Sequence, residues 1–231
     1  MINKSTINSS NNRKELPLDD QNYLLLEYPD YLTNGGTKKV KVKDLGMKFA
    51  SINSFFMDYL KEYHIPAAFI KAQDKKSLKF IMHERLPFIV KILNLIDKRT
   101  AKIFSKKEGH PLKLPIFEYH CGTGRETLVS ESHLVTFDMC SIEDLKLINR
   151  ICSKVNAVLK SFFERRGEIL AEVNCLFGKS ENKIYLVDDF TPKSLKIMPQ
   201  NGDNKSISPY KFDTPATIRK YTDHLFNVMS S

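Results

Sequence analysis

Apolar residues along the chain fall into several short runs of strand length and three stretches with helical spacing. "NYLLLEY" (22–28), "AAFIKA" (67–72), "SLKFIM" (77–82), "PFIVKILN" (87–94) and "LPIFEYH" (114–120) read as strands, with 87–94 placed centrally. "SINSFFMDYLKEYH" (51–64) has the period of a helix and stops before Ile65-Pro66. The clearest helix follows Ser141, which serves as N-cap with Asp144 at the capping-box position. It ends at Arg165, Arg166 and Gly167. Thr214-Pro215 opens a last helix with proline in its first turn. Between these, "PDYLTNGGTKK" reads as a loop turning at Asn34-Gly35-Gly36, and 97–110 as a basic loop or short helix. Residues 1 to about 14 are polar and rich in Asn and Ser, so a flexible segment is expected there. Strands outnumber helices and hairpins are frequent, which makes the fold class α+β with mostly antiparallel sheets.

One hairpin carries the candidate chemistry. "EILAEVNCLFG" (168–178) and "IYLVDDF" (184–190) are apolar runs separated by "KSENK". A five-residue loop that pairs Phe177 with Lys183 sets Glu172 opposite Asp188, on one face of the sheet. Two carboxylates roughly 5 Å apart at an effective dielectric near 20 repel by about 3 kcal/mol, a cost relieved by a cation or a proton between them. A solvated hairpin end, or a register slipped by one residue, separates the pair and removes the cost.

Composition narrows the partners. The chain has 231 residues, 42% of them hydrophobic, and a formal charge of +9. This is enough for one large domain or two small lobes and favours an anionic partner. Its lysines are scattered through "TKKVKVKD", "KAQDKKSLK" and "DKRTAKIFSKKEG", there is no Trp, and no zinc-finger or RNP-like motif occurs, which argues against sequence-specific nucleic-acid binding. No apolar run is long enough to span a membrane and the N-terminus lacks the apolar core of a signal peptide, so no membrane role and a cytoplasmic location are expected. Cys121, Cys140, Cys152 and Cys175 lack paired metal-ligand spacing and read as small hydrophobes.

The order of "YHIPAAFI", "LPFIVKILN", "EGHPLKLPIFEY", "VNAVLKSFFERRGEILAEVNCLFG" and "YLVDDFTPKSLKIM" resembles SAICAR synthetase over roughly residues 22–213. That family joins aspartate to a carboxylated aminoimidazole ribonucleotide with ATP and magnesium. The resemblance implies a two-lobed fold, with residues 1–84 as the smaller lobe and 85–231 as the larger. It implies that Asp188 and Glu172 gather the magnesium that bridges the ATP phosphates, and that Asp189 and Arg13 serve the nucleotide. It further implies that Lys196 and Arg99 contact anionic substrate groups while Asn94 positions one by hydrogen bonding. The bland alternatives are solvated surface charges for Lys196 and Arg99, and a strand-end turn for Asn94.

Departures from the family pattern bear on the substrate. The family's Lys and Glu on the hairpin face are Asn174 and Leu176 here, and its Arg before Asn94 is Leu93. Its Ser is Arg99, its Arg after the Ser-Pro-Asp turn is Lys196, and a strand Lys pair is Ile81-Met82. The glycine-rich phosphate loop corresponds to "SSNNRKEL", which has no glycine to bring backbone N–H groups close to a phosphate. Two functions fit this pattern. One is an ATP- and magnesium-dependent ligase joining a carboxylate to an amine or amino acid, with an anionic substrate other than the usual purine intermediate. The other is a repurposed, non-catalytic paralogue that keeps the scaffold and binds an anionic ligand or a protein partner. Either leaves a homo-oligomer open.

Overall fold

The computed structural model describes residues 14–17, 22–34, 38–122, 127–187, 190–200, 207–212 and 214–231. Two antiparallel sheets organise it. The first has the order β1-β2-β6-β5, built from β1 (Lys14–Pro17), β2 (Tyr23–Glu27), β5 (Phe69–Ala72) and β6 (Ser77–Ile81). Leu24 and Leu26 alternate inward along β2 and meet Leu78 and Phe80 of β6. Helix α1 (Leu45–Glu62) packs on β5 and β6. It begins six residues before the expected start at 51, where Asp30 Oδ1 accepts the Gly46 N–H at 2.9 Å. A Cβ on Gly46 would lie 2.0 Å from the Tyr28 carbonyl oxygen, so only glycine admits this approach. The stretch expected to be a loop around Asn34 is a hairpin of β3 (Tyr31–Asn34) and β4 (Lys38–Lys41). The expected turn residues Gly35 and Gly36 lie outside the described residues.

The second sheet carries the candidate chemistry. Its central strands are β7 (Glu84–Leu95) and β10 (Glu168–Ser180), and β8 (Pro111–Cys121) flanks β7. The short β9 (Leu128–Val129) extends β8, while β11 (Lys183–Leu186) and β12 (Leu195–Pro199) share the other side of β10. Thus 87–94 lies in a central strand, as its sequence suggested. Helix α4 (Ile142–Glu164) covers one face through Ile148, Val155 and Leu159. Ser141 Oγ accepts from the Asp144 N–H at 3.0 Å at its start, and Gly167 takes φ 72° just past its end. Short helices α2 (Lys98–Phe104) and α3 (Glu131–Thr136) fill connections, the first inside the region read as basic loop or helix.

Helix α5 (Pro215–Ser230) begins at an N-cap Thr214, as expected. Its Tyr221 hydroxyl donates to the Leu195 carbonyl at 2.8 Å and accepts from the Ile197 N–H at 2.8 Å, which closes the outer edge of β12. One apolar core runs through the molecule, and Phe55, Phe56 and Tyr59 of α1 interlock with Phe162 and Phe163 of α4. Parallel bonds between Ala68 N–H and Leu186 O, 3.0 Å, and Leu186 N–H and Pro66 O, 2.8 Å, tie the two sheets together.

Candidate active site

The hairpin of residues 168–186 is antiparallel, but its register differs from the five-residue loop expected for it. Phe177 pairs with Leu186 and Ser180 with Lys183, leaving a two-residue turn. Its residues Glu181 and Asn182 have φ 48° and 61°, the left-handed pair that a tight hairpin turn requires. Pairing of β10 with β11 ends at Phe177, and further along β10 the partner strand is β12. Glu172 therefore lies opposite Lys196 of β12 on one side and Leu93 of β7 on the other, so the register that would set it against Asp188 is not formed. Asp188, Asp189 and Arg13 fall outside the described residues.

Strand alternation sorts the second sheet into two faces. Val90 and Ile92 of β7, with Val173, Cys175 and Phe177 of β10, fill the core face under α4. The opposite face carries Lys91, Glu118, Glu172, Asn174 and Lys196, set by the register of β8, β7, β10 and β12. Glu172 is 6% and Lys196 7% exposed, so opposite charges sit in a nearly dry layer. Lys91 Nζ lies 3.3 Å from Glu172 Oε2 and 3.7 Å from Asp97 Oδ2. Lys196 Nζ donates to the Pro192 carbonyl at 2.9 Å and lies 4.4 Å from the centre of the Phe212 ring. Burial lowers the Lys196 pKa to about 8; the Glu172 charge opposes this and Lys193 and Lys91 add to it.

Arg99, in the first turn of α2, pairs with Glu118, whose side chain is 3% exposed. His120 Nε2 lies 3.2 Å from the other oxygen of the same carboxylate. Burial alone would raise the Glu118 pKa, but hydrogen bonds from His120 and Arg99 and the charges of Lys91 and Arg99 outweigh it and hold the carboxyl below its ordinary value. Asp97 caps α2 by accepting the Thr100 N–H at 2.7 Å. Its pKa is also lowered, because Thr100, Lys91 and Arg99 overcome the effect of burial.

Asn94 takes a different place. Strand alternation puts it on the core face with Val90 and Ile92, towards α4, where its amide exchanges hydrogen bonds of 2.7 and 2.9 Å with Asn156. Both amides are buried, and this reciprocal pair engages the Asn94 amide inside the core layer. Of the predicted site residues described, Glu172 and Lys196 come together, Arg99 joins through Glu118 and Lys91, and Asn94 does not. Sequence reasoning missed Lys91, Glu118 and His120. The available signal was a lone lysine inside the otherwise apolar "PFIVKILN", and a carboxylate and an imidazole two positions apart in "FEYH".

Among the described residues, no three carboxylate, imidazole or thiol groups converge to hold a metal ion. Glu172 is the one expected magnesium ligand that is described, and it already has an ammonium 3.3 Å away. The described residues thus do not fit a magnesium site. On the loop before β12, Thr191 is 1% exposed and its hydroxyl has no hydrogen-bond partner among the described residues; the same holds for the buried Asn174 Oδ1. Buried polar atoms of this kind cost stability unless something satisfies them.

The protein-family model for SAICAR synthetase matches residues 10–226. Curated phosphoribosylaminoimidazole-succinocarboxamide synthases are similar along nearly the whole chain. That of Pyrococcus abyssi is 27% identical over 216 residues, 91% of this chain and 92% of its own. That of Clostridium botulinum is 26% identical over 208 residues, 89% of each. Among solved structures, SAICAR synthetase from Pyrococcus horikoshii OT3 matches with a TM-score of 0.84 at 25% identity, over 95% of this chain and 98% of that one. A SAICAR synthetase in complex with ADP has a TM-score of 0.84 at 26% identity, over 95% of each chain. No helix among the described residues is long and apolar enough to cross a membrane.

Proposed function

The chain belongs to the SAICAR synthetase family, and from that membership we propose that it is an ATP-dependent ligase whose anionic substrate differs from the usual purine intermediate. The observation that carries this proposal is the opposed, nearly dry pair Glu172 and Lys196 with Lys91 beside it. Burying such charges costs several kcal/mol per ion, and a purely structural sheet face would be cheaper with apolar residues. Their retention on one face is the expected trace of a site that handles charge.

In the ligase reading, a substrate carboxylate oxygen attacks the terminal phosphorus of ATP, ADP leaves, and an acyl phosphate forms. An amine then attacks the acyl carbon, phosphate departs, and the amine loses a proton to give the amide. Lys196 and Lys91 stabilise the negative charge on phosphoryl and carboxylate oxygens, and the dry surroundings strengthen these contacts. Glu172 lies opposite Lys196 and 3.3 Å from Lys91, so its charge offsets part of theirs. Arg99, fixed by Glu118, extends the positive rim towards the substrate. The altered substrate is supported by Leu93 and Arg99, which stand where the family has an arginine and a serine.

A repurposed, non-catalytic binder is the second reading, favoured by one feature: Glu118, Glu172 and Asp97 are each already paired with this chain's own cations. The separating experiment incubates the protein with ATP, a panel of small carboxylates and a panel of amino acids, and measures ADP and phosphate release. Release that requires both a carboxylate and an amine is expected. ATP bound without turnover for any pair supports the binder.

A further inference from the structure

Lys91 of β7 and Asn174 of β10 are direct cross-strand partners on the charged face. Lys91 is held only loosely by its carboxylates. Its 3.3 and 3.7 Å ion pairs to Glu172 and Asp97 are longer than the roughly 2.7–2.9 Å of a charge-assisted hydrogen bond. Asn174 Oδ1 is buried and has no donor among the described residues. A cation with room for another oxygen therefore stands opposite an amide oxygen that lacks a hydrogen. Resting on the ligase reading for the identity of the reaction, we propose that Lys91 is the cation that grips the anionic group of the substrate. Asn174 accepts a hydrogen bond from a hydroxyl or amine next to that group.

The ligand class follows from these two atoms: a carboxylate or phosphate flanked by a hydrogen-bond donor. Lys91 acts as the anion anchor and Asn174 as the specificity-determining residue. Directly opposed side chains on one sheet face have Cβ atoms about 4.5–5.5 Å apart, within the reach of a lysine. The charge can therefore be moved from β7 to β10 without leaving the site. Lysine on either strand presents its ammonium to the same bound oxygen.

Calorimetric titration with inorganic pyrophosphate and, separately, with ATP tests this in four proteins: wild type, Lys91→Asn, the exchange Lys91→Asn with Asn174→Lys, and the neutral pair Lys91→Met with Glu172→Gln. Thermal melts check that each variant is folded. Binding by wild type is expected to weaken at least about tenfold in Lys91→Asn, to return to within about threefold in the exchange variant, and to stay weak in the neutral pair. Equal binding by wild type and Lys91→Asn would overturn the proposal. So would recovery in the neutral pair, which would mean that Lys91 only screens Glu172, and so would no binding of either anion by wild type. Lys91-dependent pyrophosphate binding without ATP binding leaves the anchor standing and removes the ligase reading. ATP binding indifferent to Lys91 removes the anchor alone.

Discussion

Glu172 and Lys196 face each other across β10 and β12, each less than a tenth exposed, with Lys91 reaching the same carboxylate from β7. Three strands thus meet at one buried charge cluster. Each strand arrives by a different route: β7 directly after β6, β10 from the end of α4, and β12 out of the turn in which the Ser194 N–H donates to the Thr191 carbonyl.

Burial makes the Lys196 charge costly to keep. Its ammonium is protonated in folded and unfolded chains below about pH 8, so the burial penalty is fully present there. Between about 8 and the ordinary 10.5 the unfolded chain binds more protons than the folded one, and stability rises with pH. Lys196→Met removes this penalty while Lys91 stays beside Glu172, so it is expected to stabilise the protein at pH 7 by about 1–3 kcal/mol and to flatten the rise between pH 8 and 10. Urea unfolding across that range measures both. A destabilised variant with the wild-type pH slope would contradict the assignment.

Arg99 is expected to act through Glu118. The carboxyl is held below its ordinary 4.5, so its contribution is present above that value and fades as pH falls through the lower, folded pKa. Arg99→Leu removes one of the groups holding it down. Acid unfolding, followed by circular dichroism, should then begin at a higher pH. An unchanged acid midpoint would show that His120 and Lys91 hold Glu118 unaided.

Asn94 should behave as a packing residue. Asn94→Ala leaves the buried Asn156 amide without its partner and is expected to cost about 1–3 kcal/mol, while anion affinity changes less than about twofold. Denaturant unfolding and calorimetry on the same variant decide this. A stable variant that loses anion binding would return Asn94 to the substrate.

Local signals carried much of the fold. The Ser141 cap, Gly167, Thr214-Pro215 and the apolar run 87–94 each specify their element within a few residues, and the structure forms each one. Non-local contacts decided what the sequence did not show. The first turn of α1 has no side-chain cap and is held instead by Asp30 and by the approach of Gly46 to Tyr28. The β10–β11 register depends on Glu181 and Asn182 both adopting positive φ, although Glu-Asn is not a strong turn pair. Hence Glu172 could be picked out as a buried acid of the hairpin, but not its partner. Lys196 reaches it from a strand that joins β10 only after the tight turn has released that edge, and Asn94, whose parity with Val90 and Ile92 already puts it on the core face, finds its partner Asn156 only across the packed α4.

The most direct test of the central claim is calorimetric titration of the wild-type chain with ATP, with and without added Mg²⁺. The ligase account predicts saturable ATP binding, weaker than in glycine-loop members of the family because "SSNNRKEL" offers no glycine for backbone contact with phosphate. No heat of binding under either condition would contradict it and leave a scaffold with a different role.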